Sequence, residues 1–105
     1  MKLITAIIQP FILDRMARAL LKAPIRGYTV TEVKGSTHES DSPEYLVPRT
    51  RVEVVVEDEK VEQMIELMCK AAGTHQEGDG IIYITELVHL IDIRTGKRDK
   101  EALRI

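Results

Sequence analysis

The chain has 105 residues, 44% hydrophobic and 30% charged, with a net charge of −2. That length holds one compact domain, and the composition is that of a folded rather than a disordered chain. The balanced charge gives no basic field for nucleic acid, and no apolar run is long enough to cross a bilayer.

Cys69 is the only cysteine, which excludes an intrachain disulfide framework and a CxxC metal motif. It falls in an apolar helical pattern and is expected to pack as a small hydrophobe. The start, "MKLITAIIQPF", lacks a long apolar stretch followed by a small-residue cleavage site. The chain therefore reads as a soluble cytoplasmic protein. It has no Trp and one Phe, so its core rests on aliphatic residues. Burying a further face by self-association suits such a chain.

Leu3 to Ile8 is a short, nearly continuous apolar run, which predicts a strand buried on both faces. Asp14 is the expected cap of a first helix, in which Met16, Ala17, Leu20 and Leu21 follow at helical spacing. Pro24 and Gly27 close it. Tyr28 to Val33 alternates and is rich in β-branched residues, so it predicts a second strand. A polar loop, "KGSTHESDSPEYLVP", follows and is longer than a tight hairpin needs.

Beyond it, Val52, Val54 and Val56 alternate with Arg51, Glu53 and Val55 in a third strand. Asp58 is the expected cap of a second helix, with Val61, Met64, Ile65, Met68 and Ala72 along one face and Gly73 at its end. "THQEGDG" is turn-rich, and Ile81 to Ile84 predicts the fourth strand. The charged tail "RTGKRDKEALRI" is expected to be exposed. The order is βαββαβ. At this length it predicts an α+β ferredoxin-like sandwich, a four-stranded antiparallel sheet with two helices on one face. The other sheet face then needs cover, which a second subunit can supply.

Three polar clusters can carry chemistry. In "EGDGI" (77–81) the glycines let backbone N–H groups approach a phosphate, though a helix-to-strand turn is the commoner explanation of Gly-Asp-Gly. In "IRTGKR" (93–98) Arg94, Lys97 and Arg98 can hold phosphates, and a solvated tail explains them on spacing alone. In the polar loop His38, Glu39, Asp41 and Glu44 can ligate a divalent metal, although such residues more often just solvate a loop. No nucleophile and base are paired in the pattern, so an enzyme is not expected.

"MKLITAIIQPFILD", "GYTVTEVKG", "RVEVVVEDEKVEQMIELMCKAAGT", "GDGIIYI" and "IDIRTG" occur in that order. As a set they resemble the PII signal-transduction family over almost the whole chain. The resemblance implies a homotrimer that binds an adenine nucleotide (ATP, ADP or AMP) in clefts between subunits. It implies a regulator that controls a partner, such as a membrane transporter, through a T-loop at about 35–48. A B-loop at about 73–80 and a C-terminal loop at about 92–105 would complete a single domain, 1–105.

By the same resemblance Ile7 lies near the base, and Gly27 and Thr29 form an adenine-recognition turn that acts across subunits. Gly35 opens the T-loop, and Glu53 and Val55 lie on the base- and ribose-side strand. Gly78, Asp79 and Gly80 form the B-loop, and Arg94 is the second of two arginines in the C-terminal loop. Arg49 stands where the family commonly has a phosphate-binding lysine.

The departures are specific. The lysine of the family's "GDGK" is Ile81 here, and the first arginine of its R-x-R pair is Asp92. An unpaired carboxylate there would repel a triphosphate, so weaker ATP binding, a preference for ADP or AMP, or another ligand is expected. The polar loop is short. It lacks the Arg-Gln pair through which the family holds 2-oxoglutarate with magnesium, and Tyr45 is outside the context of the modified tyrosine. Both points argue against those functions. The alternative is a metal-responsive PII-like protein linked to metal transport or efflux, with His38, Glu39 and Asp41 as ligands.

Overall fold

The computed structural model describes residues 1–36 and 46–104. Four strands, β1 (Lys2–Ile8), β2 (Thr29–Gly35), β3 (Val47–Val56) and β4 (Gly80–Glu86), form one antiparallel sheet in the order β2-β3-β1-β4. Helices α1 (Leu13–Leu21) and α2 (Val61–Ala72) make the two crossovers, and a short α3 (Lys100–Leu103) follows β4. This is the expected ferredoxin-like α+β sandwich.

The core lies between the sheet and α1 with α2. Ile4, Ala6 and Ile8 of β1 and Val52, Val54 and Val56 of β3 meet Met16, Leu20, Met64 and Met68. The strict alternation of β3 is the sequence signal for this face, since every second side chain of a strand points the same way. The opposite, helix-free face carries Leu3, Thr5 and Ile7 of β1 and the odd-numbered residues of β3. Leu3 and Ile7 are only partly buried, so β1 is not covered on both faces as expected.

Both helix starts differ from expectation. A 3₁₀ turn, Pro10–Ile12, runs directly into α1, leaving Asp14 in the first turn without a capping bond. Asp58 likewise sits in a 3₁₀ turn, Asp58–Lys60, before α2. Its carboxylate instead meets the amino terminus and Lys2 Nζ, each at 2.9 Å. Gly73 does end α2, donating its N–H to Cys69 O at 2.8 Å.

Three residues expected inside or outside the core are reversed. Leu21 is exposed, because it follows Leu20 by one position and points to the far side of α1. Cys69 is exposed for the same reason beside buried Met68. In the charged tail Ala102 is fully buried, because α3 folds back and offers its carbonyl to Arg26.

Candidate functional site

The residues singled out in the sequence gather in two groups at different places on the sheet. The first surrounds a cleft of about 400 Å³ at the start of β2. Gly27 and Thr29 line it from β2 and its entry turn, Glu53 and Val55 from β3, and Leu3 from β1. Thr29 and Glu53 are direct partners in the β2–β3 register. Glu53 Oε1 lies 3.5 Å from Arg51 Nε, an ion-pair contact too long for a good hydrogen bond. The cleft combines aliphatic walls with one carboxylate and a threonine hydroxyl, a lining suited to a flat heterocycle with polar edges.

The second group lies at the other end of the sheet. Ile7 and Ile8 of β1 pair with Ile81 and Gly80 of β4. Gly80 has a φ of +122°, and a Cβ there would fall 1.9 Å from Ile7 O. Only glycine fits this close approach. Gly78, with a φ of +88°, completes the bend, and its carbonyl accepts a 2.6 Å hydrogen bond from Gln9 Nε2.

Asp79 turns its carboxylate into its own loop. It accepts from Thr74 N at 2.7 Å, from Thr74 Oγ1, and from Gln76 N at 3.4 Å. The Thr74 hydroxyl, followed by backbone N–H groups, holds its carboxyl below the usual range. Asp79 therefore shapes the loop, while the glycines leave its backbone accessible. Gly35 and Arg49 lie at this same end, beyond the Thr50–Ile8 pairing, with Arg49 Cγ beside Gly35. Arg49 Nη1 donates to Pro48 O at 2.8 Å.

Thr29 and Gly80 sit on opposite edge strands, with β3 and β1 between them. Three strand spacings separate those edges by about 14 Å. Ile7, Thr29, Arg49, Glu53 and Val55 all belong to the helix-free face. The base-side cleft and the 78–80 turn thus do not converge within one chain, whereas Gly35 lies on the same strand as Thr29.

Arg94 lies on a third feature, the excursion between Leu90 and Asp99. Ile91 bridges Arg98, and Asp92 N donates to Lys97 O at 2.9 Å. Asp92 is not the unpaired carboxylate expected. It accepts from Thr95 N at 2.9 Å and pairs with the Arg26 guanidinium. The Thr95 N–H first, and then Arg26, hold its carboxyl at about 2. Arg26, Gln9 and Thr74 are the residues that sequence reasoning missed. Arg26 adjoins Gly27 in sequence, which was the available hint. Its partner stands 66 residues away.

The family model described as Nitrogen regulatory protein P-II matches residues 1–97. The chain belongs to the P-II family. It is 38% identical to Nitrogen regulatory protein GlnK of Escherichia coli (strain K12) over 112 residues, covering 98% of this chain and 100% of the relative. With the same coverage it is 40% identical to Nitrogen regulatory protein P-II of Rhizobium etli and 41% identical to that of Azospirillum brasilense. Family membership makes this a regulatory protein by descent.

His38, Glu39 and Asp41, the expected metal ligands, lie outside the described residues. Among the described residues no group of three or more His, Cys, Asp or Glu side chains is placed to hold a metal. No helix among them is long and apolar enough to cross a membrane.

Proposed function

We propose that this P-II protein is a homotrimeric, non-enzymatic regulator that senses an adenine nucleotide in clefts between subunits. The observation that carries this reading is the position of the Gly27–Thr29 turn and the 78–80 turn on opposite edge strands of one sheet, β2 and β4. Two copies set edge to edge place Gly27 and Thr29 of one beside the 78–80 turn of the other, within reach of a single nucleotide. A cyclic assembly with the helix-free faces turned inward brings one copy's β2 edge to its neighbour's β4 edge and covers the aliphatic face. The base then sits among Thr29, Glu53 and Val55 of one subunit, near Ile7 of the next. The backbone of residues 78–80, with Gly35 and Arg49, receives the phosphates.

Ligand binding at Gly35 and Arg49 lies at the root of the 35–48 loop. Occupancy biases that loop only as far as the ligand binds one loop state better than the other. The loop in turn engages the regulated partner, a transporter being the kind that the family resemblance implies. Sedimentation analysis and isothermal titration with adenosine, AMP, ADP and ATP test the reading together. A trimer that takes up one adenine nucleotide per cleft supports it. A folded trimer that binds none of the four compounds removes the nucleotide from it.

A further inference from the structure

Arg26 stands on the seam between two concavities. It lines the base-side cleft together with Gly27 and Thr29. It also lines a hollow of about 730 Å³ formed with the 90–99 excursion, whose cations include Arg94 and Lys97. A ligand whose base fills the first space therefore has this guanidinium in the wall of its own cleft.

That guanidinium is already committed. Its Nη1 donates to Ala102 O at 2.5 Å, and its Nη2 donates to Asp92 Oδ2. Asp92 is the fixed member of the pair. Its side chain is only 14% exposed, against 41% for Arg26, and its other carboxylate oxygen accepts from Thr95 N. Its backbone is also held on both sides, by Lys97 O and by Gly96 N. A phosphate approaching Arg26 must draw it from a carboxylate that cannot follow, and must then lie beside that carboxylate.

Resting on the nucleotide reading above, we infer that Asp92 withholds Arg26 from the ligand and acts as a charge filter, so that the cleft gains nothing from successive phosphates. The ligand class this selects is an adenine compound of low charge, a nucleoside monophosphate in preference to a triphosphate. Arg94 lines the second hollow together with Asp92 and is not part of the base-side cleft.

The test is the ratio of ATP to AMP affinity, measured by isothermal titration without added divalent metal. The wild type should bind ATP no more tightly than AMP. Asp92→Asn keeps a side-chain oxygen for Thr95 N but frees the cation, and should shift the ratio about tenfold toward ATP, as one unscreened charge at short range does. Arg26→Gln should shift it the other way, because the carboxylate then stands alone. A purely structural role for the pair would weaken both nucleotides together and leave the ratio unmoved, which overturns the filter. Tighter ATP than AMP binding by the wild type, by tenfold or more, overturns it without any variant. Binding of neither nucleotide by the wild type overturns the underlying reading and the filter with it.

Discussion

Gly80 presses its backbone against the carbonyl of Ile7 so closely that a Cβ on Gly80 would lie 1.9 Å from Ile7 O. This contact fixes the first residue of β4 against the end of β1 and sets the direction in which the 73–80 turn leaves the sheet.

Gly80→Ala should therefore destabilise the fold by at least about 2 kcal/mol, since it meets both a clash and a φ of +122° that L residues avoid. Gly27→Ala meets no atom within 4 Å and has an ordinary φ, so it should cost far less. Urea denaturation of the two variants checks the contrast. Equal losses would mean that the β1–β4 approach is not as tight as described.

Met64 is fully buried between α2 and the sheet, opposite the Val52–Val56 face. Met64→Ala should cost about 2–5 kcal/mol, as truncations in packed cores do. The exposed neighbour Gln63 serves as the control. Its replacement by Ala should change stability by less than about 0.5 kcal/mol, as surface changes do.

The held carboxylates give the protein an acid limit. Asp58, Asp79 and Asp92 all have lowered values, and that of Asp92 falls from 3.8 to about 2. A lowered value means the unfolded chain binds more protons, so the stabilisation is present above about pH 4 and is lost as the pH falls through the folded value. The stability difference between wild type and Asp92→Asn should be constant from neutral pH to about 4 and shrink toward pH 2. Denaturant midpoints at each pH measure it. A difference that stays constant down to pH 2 would show that the Asp92 carboxylate is not held as described.

Much of the fold was legible because its signals are local. The valines at 52, 54 and 56 read directly as one face of a strand, and the spacing of Met64 and Met68 read as one face of a helix. What was not legible depends on contacts distant in sequence. The capping roles expected of Asp14 and Asp58 failed because 3₁₀ turns precede both helices, and Asp58 found Lys2 and the amino terminus instead. Ala102 is buried because the chain returns across Arg26, which nothing within the tail announces.

The same division holds for the site. Gly78 and Gly80 are legible as a Gly-Asp-Gly turn, and the structure adds the positive φ that favours glycine at both. Asp92 stood out only as a substitution of charge. Read alone it suggested repulsion, whereas in the fold it is half of an ion pair. That Thr29 and Gly80 stand on opposite edges follows from the strand order β2-β3-β1-β4, which the spacing of residues along the chain does not give.

The central claim is that each cleft takes one half from each of two copies, and subunit mixing tests it most directly. Gly27→Phe has open space to place a ring in the base-side cleft, and Gly35→Glu puts a carboxylate at the other half-site, where a Cβ meets only Arg49 Cγ at 3.9 Å. Each variant alone should bind no adenine nucleotide. Co-expressed in equal amounts, the two should recover binding in roughly a quarter of the clefts, the statistical share in which both intact halves meet in a closed symmetric assembly. Recovery of no binding in verified mixed trimers would contradict the account and place the whole site within one chain.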